Sequence, residues 1–365
     1  MGTIESLSFQ RYQDTDPRVW ASFVDRCDEA WVYHTPEFIE AAAYDCSFSV
    51  LVDGDLQGVC VLGRERRRLG AYLSGPGLAL LPGAHQAWIY QGLLTKLHHL
   101  AVTARCECVE FVLPPLAPAN YRRSFPDCVL GQCGFGNGIR WRRASEPLPG
   151  YFSVIDLTQD AGKILSAFSK GQKSNVKRCE KLNLRLNALT AYDVTADAWA
   201  DFVNIHKITY ARTGGRSFSA EKLGGLYLLA RTGRILLVNG YEGAQCVTSL
   251  LLAIGKGGAF YYAGGALDVS RQRGVMAWAH YQVICWLKEH GFEHYCMGFT
   301  VPALSGTEAG GIGDFKKRFG GEQWPMLCGD LILRPKAFLA RHQAYDLFAG
   351  PARVLRTLRS RRHVR

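Results

Sequence analysis

Apolar positions recur at helical spacing over residues 17–27 and again after Thr35 and Pro36, a capping residue followed by the imino acid that a first turn tolerates. Apolar runs over Phe48–Val52 and 58–63 predict strands, and the Asp53-Gly54-Asp55 between them has the chemistry of a hairpin turn. Residues 86–104 predict an amphipathic helix and 108–113 an apolar strand, after which Pro114, Pro115 and Pro118 break the pattern. From Tyr151 the order repeats. A strand over 151–157 leads through Thr158, Gln159 and Asp160 into a helix expected to reach 182. A helix over 197–210, strands over 235–241, 246–254 and 259–263, a helix near 274–290 and a strand over 293–298 follow.

Helix, helix, antiparallel strands, helix, strand thus occurs in both halves, which predicts a duplicated α/β (α+β) architecture. The expected domains are 1–150 and 151–335, each a mixed, mostly antiparallel sheet flanked by helices, followed by a basic tail over 336–365. A cleft between the halves is the natural place for a substrate.

Composition narrows this picture. The 365 residues, 48% hydrophobic and 21% charged, describe a folded chain large enough for two cores. A formal charge of +11 favours a polyanionic partner. Twelve cysteines are scattered with no leader-like segment ahead of them, so reduced thiols and a cytoplasmic location are expected. Neither Cys106 and Cys108 nor Cys128 and Cys133 has the spacing of a zinc knuckle, and no metal site is expected. Apolar stretches such as 247–254 fall far short of the roughly 20 residues of a membrane span.

The segment 310–322 combines glycines, Phe315 and Phe319 with the adjacent cations Lys316, Lys317 and Arg318, the makeup of a loop closing over an anionic or carbonyl-bearing ligand. Acyl transfer to an amine builds negative charge on a carbonyl oxygen, and an ammonium such as that of Lys316 stabilises it best where water is excluded. Asp314 is the candidate acceptor of the amine proton, with Glu308 next. A solvated surface turn is the plain alternative. Lys170, Lys173, Lys177 and Lys181 are spaced to share one helix face and, with Arg178, offer a phosphate-binding surface, although most such stripes are solvated helix faces. Arg353, Arg356, Arg359, Arg361, Arg362 and Arg365 make the tail a candidate grip for tRNA or an anionic membrane surface. Arg212 is a candidate cleft residue. His206 and His280, on amphipathic helices, are read as packed side chains.

Phe315-Lys316 followed by Phe319-Gly320-Gly321, after a helix and a strand, resembles the C-terminal loop of the Fem peptidyltransferases. Those are proteins of two tandem GNAT-like acyltransferase domains that use aminoacyl-tRNA. The resemblance implies that Lys316 and the backbone at Phe315 handle the aminoacyl ester and its transition state. It implies an N-acyltransferase that moves an aminoacyl group from charged tRNA to an amine of a small-molecule or peptide acceptor, with no metal or redox cofactor. Family members acting on a nucleotide-linked cell-wall peptide use an arginine, two tyrosines and a lysine. Arg216 and Tyr262 match two of these, whereas Ala220 and Ala42 replace the others, so the acceptor is expected not to be the UDP-linked precursor. The alternative is an acyl-CoA-dependent enzyme acting on a sugar or amine, since Arg271 and Gly274 fit a pyrophosphate-binding loop but Met276 does not. A third reading is an RNA-binding module with an inert acyltransferase fold.

Overall fold

A computed structural model of the chain describes residues 6–67, 70–84, 87–137, 150–213, 217–301, 311–336, 338–341 and 343–344. Its strands in chain order are β1 (Leu7–Arg11), β2 (Phe48–Val52), β3 (Asp55–Arg67), β4 (Gly70–Leu80), β5 (Cys108–Val112), β6 (Gly136–Asn137) and β7 (Tyr151–Asp156). Then come β8 (Leu184–Thr190), β9 (Ile235–Glu242), β10 (Gln245–Gly255), β11 (Gly258–Ala266), β12 (His294–Thr300), β13 (Glu322–Pro325) and β14 (Cys328–Ile332). The helices are α1 (Pro17–Arg26), α2 (Pro36–Ala42), α3 (Ala87–Thr103), α4 (Val129–Gln132), α5 (Ala161–Ala167) and α6 (Lys170–Cys179). They continue with α7 (Ala196–Thr213), α8 (Ala220–Arg231), α9 (Asp268–Gln272), α10 (Val275–Glu289) and α11 (Gly311–Lys317). No helix among the described residues is long and apolar enough to cross a membrane.

The strands form two seven-stranded mixed sheets. In the first, the antiparallel run β1-β2-β3-β4 is joined by β5, parallel to β4. In the second, the antiparallel run β8-β9-β10-β11 is joined by β12, parallel to β11. The first sheet is completed from the far end of the chain. β14 enters the first sheet between β5 and β6, while β7 lies between β12 and β13 in the second. The chain therefore crosses from one sheet to the other between Pro325 and Cys328, and the stretch read as the second domain supplies a strand to the first.

Packing explains why the halves stay together. Asp16 accepts from the Arg18 N–H at 2.8 Å and caps α1, which buries Trp20, Phe23 and Val24 in the first half. A separate core lines α10 and the second sheet. A third cluster belongs to both halves, joining Trp31, Phe38 and Leu116 to Phe202, Leu226 and Leu251. Burying each such large side chain contributes about 1.5–3 kcal/mol. The Trp31 indole N–H donates to the Gly255 carbonyl at 2.8 Å, and the Lys256 amine to the Cys27 carbonyl at 2.6 Å, so the β10–β11 turn is tied to the first half.

Three features depart from the periodicity. β4, β8 and α8 have no counterpart in the pattern reading. The helix expected to run to 182 is two helices, broken at Phe168 (ψ 147°), with the Ser169 hydroxyl accepting from the Gln172 N–H at the start of α6. Within 310–322, residues 311–317 form the short helix α11 rather than an open loop, and Gly310 lies outside the described residues.

Candidate active site

The parallel ladder between β11 and β12 lasts only three residue pairs, ending at Phe260 and Cys296. Beyond it β11 keeps its pairing with β10, while β12 shifts register against β7 between Cys296 and Phe299. The two strands separate at that point. Gly298 makes the bend with φ +92°, and a Cβ there would stand 2.7 Å from the Lys316 amine. No other residue type satisfies both demands.

Lys316 projects from α11 into this gap. It is 7% exposed, and its Nζ donates to the Phe299 carbonyl at 3.3 Å while lying 5.2 Å from the Phe299 ring centroid. Desolvation pushes its pKa down to about 8, and the Cys296 thiol pulls weakly the other way. Below that pH the site holds a buried, sparsely solvated ammonium ion. His280, fully buried on α10, lies in the same core. Its Nδ1 is 2.7 Å from the Tyr295 hydroxyl, and its Nε2 has no partner among the described residues. Burial, and then the nearby Lys316 charge, hold its pKa at about 3, so the ring is neutral throughout the physiological range. Phe315 and Phe319 pack edge to face at 5.1 Å and close the other side of His280. Asp314 is half-buried on the same short helix.

Lys316 itself lines neither chamber of the cleft between the halves; it bonds the carbonyl of Phe299, which lines one of them. One chamber of about 380 Å³ is lined by Phe299, Phe260 and Tyr33, and a second of about 460 Å³ by Arg64, Glu65 and Lys222. Phe38, Tyr44, Ser74 and Tyr262 line both, so the chambers adjoin. Burial pushes the Tyr262 phenol up to about 12. Ala42 lies in the wall of the second chamber and Ala220 opens α8 beside it.

The remaining candidates are placed differently. Arg212 is ion-paired with Asp268 at 2.5 Å and lines neither chamber. Arg216, Glu308 and the arginines of the tail lie outside the described residues. Lys170 and Lys177 are exposed on α6, but the Lys173 amine donates to the Ser166 carbonyl at 3.1 Å. Arg178 is exposed too, but its guanidinium is engaged, donating to the Arg273 carbonyl at 2.6 Å and to Asn175 Oδ1 at 2.8 Å. Lys222 was not singled out by sequence. Its signal was available, since Ser219 caps α8 and Leu223, Leu226 and Ala230 give the helix a buried face.

No protein-family model matches this chain, and no curated protein matches its sequence. Solved structures do match. FemX superposes with a TM-score of 0.66 at 14% identity, over 93% of this chain and 99% of FemX. A tandem GNAT protein from the clavulanic acid biosynthesis pathway gives 0.54 at 12% identity, covering 90% of this chain and 99% of its own. L-PGS from Bacillus licheniformis gives 0.52 at 11% identity, with coverages of 80% and 86%. Two sheets built on the same plan, joined by β14 and splayed at β11 and β12, are the tandem GNAT fold in its Fem-like arrangement.

Proposed function

We propose that this protein is an N-acyltransferase that takes an aminoacyl group from charged tRNA and forms an amide on a small amine or peptide acceptor. The observation that carries this reading is the Lys316 ammonium, buried in the gap between β11 and β12 and bonded to the carbonyl of Phe299, which lines the cleft. The acceptor amine adds to the ester carbonyl, and negative charge gathers on the oxygen. A pre-positioned donor in a dry site lowers such a barrier by about 3–4 kcal/mol, and holding both reactants in line supplies several more. The ester is already activated, so the reaction as proposed uses no metal or redox cofactor. Charged tRNA places the enzyme in the cytoplasm.

The turn before α10 favours tRNA over acyl-CoA as donor. The Asn175 side chain lies where a Cβ on Gly274 would stand, and Arg178 donates to the carbonyls of Gln272 and Arg273. The Arg273 guanidinium is engaged by the Glu242 carboxylate. The Gly274 and Arg273 N–H groups donate to the carbonyls of Arg271 and Val269. The side chains here and the Arg273 and Gly274 N–H groups are thus engaged, which leaves the Val275 and Met276 N–H groups at the start of α10 for a pyrophosphate. Purified protein incubated with an amine panel and either acyl-CoAs or a charging system tests the donor directly. An amide detected by mass spectrometry only with charged tRNA, and lost on ribonuclease treatment, is expected; ribonuclease-insensitive product from acyl-CoA overturns the assignment.

A further inference from the structure

The two chambers of the cleft are chemically unlike. Around Phe299 the wall is aromatic, with Tyr33, Phe152 and Phe260 alongside Val112 and Met326. The other chamber holds Lys222, which has no ion pair with any carboxylate among the described residues, whereas the Arg64 guanidinium lies beside Cys106, on the sheet face opposite Glu65. Arg67 is different, since it is shared by Glu65 at 2.8 Å and Glu110. That triad carries one net negative charge. The Lys222 amine sits 4.4 Å from the Phe218 centroid and 5.6 Å from that of Tyr262. It remains solvent-accessible, yet the cleft walls lower its pKa by desolvation, with Tyr210 and Glu65 pulling the other way. Lys222 is thus a cation held over aromatic rings in the cleft, with Glu65 acting on it at longer range and no direct ion pair among the described residues.

Resting on the transferase reading above, we propose that the acceptor is a small zwitterion: an α-amino acid or short peptide whose aromatic or branched aliphatic side chain fills the ring-walled chamber. Its carboxylate meets Lys222, and its α-amine lies toward Phe299, near the excess negative charge of Glu65, Arg67 and Glu110. Two chambers of about 460 and 380 Å³ are in the range of small-ligand sites. A phosphate fits less well, because Glu65 and Glu221 line the same chamber as Lys222 and repel a dianion. In the transfer the amine enters as the free base, and the new C–N bond forms as the ester C–O bond breaks. The amine proton leaves with the departing alcohol.

Calorimetric titration of the full-length protein, without donor, tests this. The probes are L-phenylalanine, L-leucine, phenethylamine (no carboxylate), 3-phenylpropionate (no amine) and inorganic phosphate. L-Phenylalanine or L-leucine is expected to bind, and each truncated probe to bind about tenfold or more weakly. Lys222→Met should reduce L-phenylalanine to the affinity of phenethylamine and leave phenethylamine itself unchanged, whereas Lys222→Arg keeps most of the affinity. The proposal is overturned if neither amino acid binds, if phenethylamine or phosphate binds as well as L-phenylalanine, or if Lys222→Met, natively folded by circular dichroism, changes nothing. A protein that binds the zwitterion and transfers nothing to it from any donor contradicts the transferase reading alone. One that acylates phenethylamine as efficiently as L-phenylalanine contradicts this proposal alone.

Discussion

Burying the Lys316 amine strips most of its hydration, and the Phe299 carbonyl at 3.3 Å replaces only part of it. Its pKa falls to about 8 for that reason, which has two consequences with opposite signs. If the ammonium form stabilises the oxyanion, kcat falls as pH rises through about 8; a rate that climbs through the same pH would make Lys316 a base instead. For stability, the folded state releases this proton near 8 and the unfolded chain only near 10.5, so between those values the unfolded state binds more protons and the contribution of Lys316 to stability rises with pH. Gly320 shows a different constraint. It has φ +72°, and a Cβ there would stand 2.4 Å from the Ala167 carbonyl. Gly320→Ala is expected to cost about 2–4 kcal/mol in denaturant unfolding through strain and overlap together. Lys316 and Gly320 were legible because a short motif names them both. Lys222 was not, because it lies on α8, a helix the pattern reading passed over, and its importance comes from rings at Phe218 and Tyr262 that are remote in sequence or on another element.

At the scale of elements, periodicity succeeded where one face is buried and strongly apolar, as in α10, β9 and β10. It failed at β4, whose GAYLSGPGLAL sequence dilutes the strand signal with glycines and a proline, and at β8, which is half-buried along nearly its whole length. The break between α5 and α6 carried a local signal, Ser169 with Gln172 three residues on and no apolar side chain between Phe168 and Val176, which the expectation of one helix to 182 overlooked. That break matters for charge, because it orients α6 so that Arg178 reaches the turn before α10 while Lys170 and Lys177 stay outside. If α6 touches the tRNA backbone, Lys170→Gln with Lys177→Gln should weaken tRNA binding at low salt and lower the slope of log affinity against log salt by about 1 to 2, with circular dichroism unchanged. An unaltered slope would remove α6 from the interface.

For the molecule as a whole, duplication was legible in the repeated element order, but the entry of β14 into the first sheet was not. Pairing across about two hundred residues leaves no local trace, and β14 lies between β5 and β6, both from the first half of the chain. A fragment comprising 1–150 would lack that strand, and it should show no cooperative unfolding transition, whereas the full chain should unfold as one unit. A fragment that melts cooperatively on its own would mean that β14 is dispensable. The same interlocking joins the two walls of the cleft, beside which the transfer proposed for Lys316 would take place. Single-turnover transfer from charged tRNA by wild type and Lys316→Met, at donor and acceptor saturation, tests this most directly. A loss of about 10²–10³ in rate with acceptor binding retained is the predicted result, and transfer by Lys316→Met at the wild-type rate would contradict it.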